Sequence, residues 1–187
     1  NAEEFSSNGF QSFFDFLEEG SLINFKEELE SYSIVQIPEA EAAFVAMSSE
    51  SGEVQAYIGG FDFKRSKFDR AKKSQLMVGS SIKPFIYALA LENQFHPNSL
   101  VLDAPIVLNQ GEDLKLWKPE NYGKKFYGLS TLRTGIEKSR NLMTVRIAQD
   151  LGLKKITNLT KKLKIYDNPD ELMSISLGSA ETTLLRL

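Results

Sequence analysis

A serine and a lysine that stand three positions apart, Ser80 and Lys83, are the residues best spaced for chemistry. Pro84 follows directly, and because proline is tolerated in a helix only near its first turn, a helix is predicted to begin close to Ser80. Positions i and i+3 share one helix face, so the Lys83 amine can reach the Ser80 oxygen. A serine hydroxyl becomes a good nucleophile when a base removes its proton, and a lysine held out of water can be that base. The spacing therefore predicts nucleophilic catalysis at Ser80.

A second polar pair, Ser139 and Asn141, lies about sixty residues further along the chain. The Ser139 hydroxyl can relay a proton, and the Asn141 amide can both donate and accept hydrogen bonds. Ser80 is the only serine or threonine with a lysine three residues later. The plainer alternative is that Ser80 and Ser139 cap helices, since serine is a favoured N-cap residue, and capping by Ser139 would be compatible with catalysis.

Other catalytic chemistries find little support among the residue types present. His96 is the only histidine and stands beside Pro97, so a Ser-His-Asp triad has one candidate base and no spatial argument. Cysteine is absent, and neither histidine nor carboxylate spacing indicates a metal site. We therefore predict neither a metal nor a cofactor.

The elements that must position these residues begin with strands. A short strand is predicted after a turn within residues 13–25, and a second one at Tyr32–Ile37, ended by Pro38. Ala42–Met47 and Glu53–Ile58 flank a serine-rich turn with Gly52, which predicts a hairpin. Residues 61–78 are predicted to form a connection.

From Ser80 onward the pattern is mostly helical. Phe85–Leu91 predicts a buried helix, and Asn141–Leu151 predicts another that ends at Gly152. Residues 95–130 are interpreted as loops, with short strands near Leu100–Leu102 and Ile106–Leu108. The remaining predicted helices are Thr131–Glu137, an amphipathic segment at Leu153–Leu163, and an apparent helix at Thr183–Leu187.

The bulk composition is that of an ordinary globular protein of 187 residues with a formal net charge of −3. This charge gives no electrostatic case for binding nucleic acid or an anionic membrane. The lysines between residues 154 and 164 are interpreted as the solvated face of a helix. No apolar run approaches the roughly 18 residues that a membrane span needs.

Several short motifs, taken in order, resemble the transpeptidase domain of class A (bifunctional) penicillin-binding proteins over residues 34–187. Beyond the pairs above, they are Gly59-Gly60-Phe61-Asp62-Phe63, Ser66-Lys67-Phe68-Asp69-Arg70-Ala71, Trp117-Lys118-Pro119-Glu120-Asn121-Tyr122, Leu132-Arg133-Thr134 and Leu177-Gly178-Ser179. The resemblance implies an α+β fold with helices around an antiparallel sheet, of which only the first hairpin is expected here. Residues 17–37 resemble the last strands of an inserted OB-like domain in 1a-type members. We therefore expect residues 1–37 to end that domain and residues 38–187 to begin the transpeptidase domain.

The resemblance also implies an activity and a site. A serine D,D-transpeptidase would act on the D-alanyl-D-alanine end of peptidoglycan stem peptides, and β-lactams would acylate the same serine. Ser80 would be the nucleophile, Lys83 the base, Ser139 a proton relay and Asn141 a holder of lysine and substrate. Four further residues would line the substrate groove: Gly79, Trp117, Asn121 and Tyr122. From the residues alone, the two aromatic side chains could equally be packing residues.

The resemblance also implies a further motif, a further domain and a membrane anchor that this sequence does not contain. The family carries a third motif, Lys-Thr/Ser-Gly, that the sequence lacks, as well as a glycosyltransferase domain and an N-terminal membrane helix. The parent protein is thus expected at the periplasmic face of the inner membrane, and the isolated chain is expected to be inactive and able to self-associate. The alternatives are a serine β-lactamase, a β-lactam sensor domain, or a fragment that serves only as scaffold.

Overall fold

A computed structural model describes residues 20, 22–28, 31–36, 38–109 and 115–187 of the chain. The chain divides into two units, Asn1–Glu41 and Ala42–Leu187. In the first unit, β1 (Phe25–Glu28) and β2 (Ser31–Ile34) form an antiparallel pair in which Phe25 lies opposite Ile34. The strand predicted within residues 13–25 lies mostly outside the described residues, as do most of residues 1–37, which were expected to end an OB-like domain. The OB-like domain therefore stays a prediction.

The second unit opens with the predicted hairpin, β3 (Phe44–Met47) and β4 (Val54–Ile58), which pair antiparallel. Gly52 in the turn has a φ of +74°, the left-handed conformation that glycine adopts without a steric penalty. Apolar side chains on this hairpin are exposed, including Phe44 and Ile58. Self-association through such a face remains a prediction.

The core of this unit is helical and surrounds the Ser80–Lys83 segment. A 3₁₀ turn at Gly79–Ile82 leads directly into α2 (Lys83–Glu92), with Pro84 in the first turn as the sequence predicts. The preceding α1 (Arg70–Lys73) is a single turn inside the segment predicted as a connection. Ile82, Ile86 and Ala90 are fully buried, because α2 lies within the core and packs on several neighbouring elements.

Helix α4 (Asn141–Leu151) is the main partner of α2, and its bounds agree with the prediction. It follows α3 (Leu132–Glu137) and ends at Gly152, whose φ is +83°. The amphipathic segment forms α5 (Leu153–Lys162), with Ile156 buried and the lysines exposed. These helices, with a 3₁₀ segment at Met173–Leu177, confirm the α+β prediction.

Short strand pairs join distant parts of the chain and were only partly predicted. β6 (Leu100–Asp103) pairs with β7 (Gly128–Thr131), which the sequence does not reveal. The strand expected at Ile106–Leu108 is reduced to one bridge between Leu108 and Trp117. β5 (Leu76–Met77) pairs with β8 (Glu181–Thr182).

The helix predicted at Thr183–Leu187 is wrong, because the segment forms a turn held by tertiary contacts. The Leu185 amide donates to the Ala71 carbonyl, and the Arg186 side chain donates to the Lys164 carbonyl and to Asp167. These partners from distant parts of the chain hold the segment as a turn.

Candidate active site

Ser80 lies in the 3₁₀ turn directly before α2, and its side chain is exposed. The turn is anchored at Gly79, whose amide donates to the Gly178 carbonyl at 3.0 Å and whose φ is +55°. The Lys83 amide donates to the Ser80 carbonyl, so Ser80 and Lys83 stand one turn apart. The predicted i, i+3 relation is thus present in the structure.

Lys83 points inward and is 1% exposed. Its Nζ donates to the Ser139 carbonyl at 2.7 Å, to Ser139 Oγ at 2.9 Å and to Asn141 Oδ1 at 2.6 Å. An ammonium has three N–H donors, so these three acceptors use all of them. Three of the four predicted catalytic residues therefore meet at one atom, although they come from segments more than fifty residues apart.

Burial lowers the pKa of Lys83 from its ordinary value of 10.5 to about 8, since removal from water penalises the charged form. The three acceptors are uncharged, so they hold the amine without a neighbouring carboxylate that would keep it protonated. At neutral pH a usable fraction of the amine is thus unprotonated. This is the property that a general base needs.

The Ser139 backbone is left-handed, with a φ of +50°, which is uncommon for a residue other than glycine. The conformation is held by hydrogen bonds from the Ser139 amide to Ile136 and from the Arg140 amide to Gly135. It turns both the carbonyl and the hydroxyl of Ser139 toward Lys83. Ser139 does not cap α4, because the N-cap residue is Arg140 and makes no side-chain capping bond.

The loop predicted to border the substrate contains residues with three different environments. Trp117 is half-buried and exchanges two backbone hydrogen bonds with Leu108, while Tyr122 is fully exposed. Asn121, in contrast, is 5% exposed. Its Oδ1 accepts from the Asn141 amide at 2.9 Å, and its Nδ2 donates to Asp103 and to the Lys125 carbonyl. The Asn121 side chain thus makes its hydrogen bonds within the protein, and its contact with a substrate stays a prediction.

Two residues near the site were missed as site residues by sequence reasoning. Gly178 packs so closely on Gly79 that a Cβ atom would overlap the Gly79 backbone, and its φ is +76°. Asp103 is fully buried and accepts from Asn121 Nδ2 at 2.7 Å. The resemblance included Gly178 without a role, whereas no local pattern singles out Asp103.

Within the described residues, no group of histidine and carboxylate side chains could hold a metal ion. The helices described there also fall short of the length and hydropathy needed to cross a bilayer.

Residues 42–177 match the family model described as the penicillin binding protein transpeptidase domain. The chain belongs to this family. Penicillin-binding protein 1A of Rickettsia conorii is 42% identical over 184 residues, which cover 98% of this chain and 23% of that protein. A crystal structure of penicillin-binding protein 1A from Haemophilus influenzae superposes with a TM-score of 0.77 at 34% identity, over 87% of this chain and 24% of that one.

A structure of PonA1 from Mycobacterium tuberculosis in complex with penicillin V has the same fold, with a TM-score of 0.65 at 20% identity, over 79% of this chain and 43% of that one. The family match and the 1A relatives confirm the resemblance to class A penicillin-binding proteins. The chain spans about a quarter of the length of these 1A relatives. These comparisons do not favour the β-lactamase and sensor alternatives.

Proposed function

We propose that this domain is a serine D,D-transpeptidase that cross-links peptidoglycan stem peptides through an acyl-enzyme formed at D-alanyl-D-alanine. The observation that carries the proposal is the buried amine of Lys83, held by Ser139 and Asn141 one helical turn from Ser80. Family membership and the 1A relatives support the transpeptidase class.

In the first step, Ser80 Oγ attacks the carbonyl carbon of the penultimate D-alanine and neutral Lys83 takes the Ser80 proton. A neutral amine has two N–H donors and one lone pair. The Ser139 carbonyl and Asn141 Oδ1 can keep the two donors, which leaves the lone pair for a proton. The substrate carbonyl becomes an oxyanion as the C–O bond to Ser80 forms.

The oxyanion needs donors that are already in place, because donors that are fixed before reaction cost no reorganisation. The Ser80 amide lies in the first turn of the 3₁₀ segment, where amides lack acceptors within the helix, and it is one proposed donor. Gly79, Trp117 and Tyr122 are proposed to border the substrate groove.

Collapse of the intermediate breaks the peptide bond and releases D-alanine. Its nitrogen must gain a proton, and we propose that Lys83 supplies it through the Ser139 hydroxyl, which lies 2.9 Å from Nζ. An amine from a second stem peptide then attacks the ester carbonyl and loses a proton to the same groups. The new amide bond forms as the bond to Ser80 Oγ breaks, and Lys83 returns a proton to Ser80. Penicillins would acylate Ser80 in place of the stem peptide, as the penicillin V complex of PonA1 suggests.

Three further proposals rest on the resemblance alone. The complete polypeptide carries a Lys-Thr/Ser-Gly motif that completes the site. It also polymerises glycan strands in a separate glycosyltransferase domain. Finally, it acts at the periplasmic face of the inner membrane, anchored by an N-terminal helix.

The test is labelling of the complete polypeptide with a fluorescent penicillin. Ser80→Ala should abolish labelling and Lys83→Ala should slow it by about 10²–10⁴-fold, the usual contribution of a general base. Ser81→Ala is the matched control, because Ser81 is the exposed neighbour of Ser80, and it should label normally. Undiminished labelling of either site variant would refute the assignment, and rapid release of the label would indicate a β-lactamase instead.

A further inference from the structure

The N-terminus of α4 is capped by a side chain from a distant loop. The first amides of a helix lack intrahelical acceptors, and the local N-cap residue, Arg140, offers none. Asn121 Oδ1 instead accepts from the Asn141 amide at 2.9 Å and from the Leu142 amide at 3.4 Å. Asn121 is therefore an N-cap supplied twenty residues upstream.

Asp103 determines which way the Asn121 amide faces. A carboxylate only accepts hydrogen bonds, so the nitrogen of Asn121 must face it, as the 2.7 Å contact from Nδ2 to Asp103 Oδ1 shows. The Lys125 carbonyl, also an acceptor, receives the second N–H at 2.9 Å. The Asn121 oxygen is consequently left to face α4. Arg140 Nε lies 3.8 Å from Asp103 Oδ2 and balances its buried charge.

The same loop also fixes the Asn141 side chain. Asn141 Nδ2 donates to the Glu120 carbonyl at 2.8 Å, which directs its Oδ1 toward Lys83 Nζ at 2.6 Å. Glu120 thus holds the side chain of Asn141, and Asn121 holds its backbone amide. Asn141 in turn accepts a hydrogen bond from Lys83. A continuous chain of hydrogen bonds runs from Asp103 through Asn121 and Asn141 to Lys83.

We propose that Asp103 and Asn121 are positioning residues for acylation, and that they act through Asn141 on the Lys83 amine. The inference rests on the proposed function and gives Asn121 a role besides the predicted substrate contact. A base misplaced by about 1 Å can cost about 10²-fold in rate, so a cap on α4 can matter to chemistry that it does not touch.

An exchange of donor and acceptor tests this inference in the complete polypeptide, with the acylation rate constant for a fluorescent penicillin as the readout. Asn121→Asp places two acceptors 2.7 Å apart and should slow acylation by about 10²-fold in the molecules that label. Asp103→Asn alone keeps an acceptor for Asn121 and should have a smaller effect. In the double variant, the amide introduced at position 103 can donate to the carboxylate introduced at position 121, although the Lys125 carbonyl still faces an acceptor there. Acylation should therefore be about ten-fold faster than in Asn121→Asp without reaching the unmodified rate.

Matched controls make the same chemical changes elsewhere. Asn93→Asp alters a hydrogen-bonded asparagine at the end of α2, and Asp167→Asn alters an ion-paired carboxylate; both should acylate normally. A residue with only a structural role would reduce the fraction that labels without changing the rate constant of that fraction. That result, or a double variant no faster than Asn121→Asp, would overturn the proposal.

If Asn121→Asp yields no folded protein, the double variant is compared with Asp103→Asn. Acylation of the double variant that is slower by about three-fold or more in the molecules that label supports the inference, because the carboxylate introduced at position 121 still opposes the Lys125 carbonyl; equal rate constants contradict it. The Ser80→Ala variant separates the two levels of the argument. If it still labels, the proposed function fails; if it does not label while Asn121→Asp reacts at the normal rate, only the positioning role fails.

Discussion

The pH dependence of Ser80 acylation should report the protonation of Lys83. The Lys83 side chain is 1% exposed, and burial lowers its pKa to about 8 from an ordinary value of 10.5. Only the unprotonated amine can accept the Ser80 proton. The rate constant should therefore rise with pH and level off once the pKa has been passed.

The two pKa values give very different profiles. With a pKa of about 8, the neutral fraction is about 1% at pH 6, about 9% at pH 7 and about 50% at pH 8. The acylation rate should then rise about 50-fold from pH 6 to pH 8 but only about two-fold from pH 8 to pH 10. A solvent-exposed lysine with a pKa of 10.5 would give a rise of about 75-fold over the second interval.

Stopped-flow acylation by a fluorescent penicillin across this pH range measures the profile, after subtraction of the spontaneous hydrolysis of the probe. Lys155→Ala is a suitable control, because it removes an exposed lysine that contacts Asn93. It should leave the profile unchanged. A rate that climbs more than about ten-fold between pH 8 and pH 10, or one that does not vary with pH, would refute the reasoning.

Three further predictions concern stability and packing. Gly178→Ala should displace Gly79 and reduce both the thermal unfolding midpoint and the acylation rate. Gly123→Ala should change neither, because no atom lies within 4 Å of the added Cβ. Equal effects of the two substitutions would contradict the packing argument. Ile147→Ala should lower the free energy of unfolding by about 2–5 kcal/mol and Ile147→Val by about 0.5–1.5 kcal/mol, measured by denaturant titration, because this side chain is fully buried. The pKa of Lys83 is lower in the folded state, so between about pH 8 and 10.5 the unfolded chain binds one more proton than the folded chain. The free energy of unfolding should therefore rise with pH over this range, by about 3 kcal/mol more than in Lys83→Met. An identical pH dependence in both proteins would show that the pKa of this lysine is not shifted.

The sequence alone determined the local elements around the site. Pro84 limits where α2 can begin, Gly152 ends α4, and the alternation on either side of Gly52 predicts the hairpin. These features depend on backbone sterics and on neighbours a few residues apart, which a sequence displays directly. The Ser80–Lys83 spacing belongs to the same class, because one helical turn fixes it.

Strand pairs between distant segments were not predictable in the same way. The sequence of β7 does not indicate which strand it pairs with, because the pairing depends on where β6 lies in the folded chain. The segment at Thr183–Leu187 reads as helix but forms a turn because Ala71 and Asp167 accept its hydrogen bonds. In both cases long-range contacts outweigh local propensity.

The tertiary structure alone decided how the site is held. Residue types and order brought Ser80, Lys83, Ser139 and Asn141 into one hypothesis, but burial and hydrogen-bond direction depend on the packing of α2 against α4. That packing lowers the pKa of Lys83 and directs the amine at residues 139 and 141. The tertiary structure also turns the Asn121 side chain inward, toward Asp103 and α4. The spacing of residues in the sequence does not predict this orientation, because it depends on neighbours that can only accept hydrogen bonds.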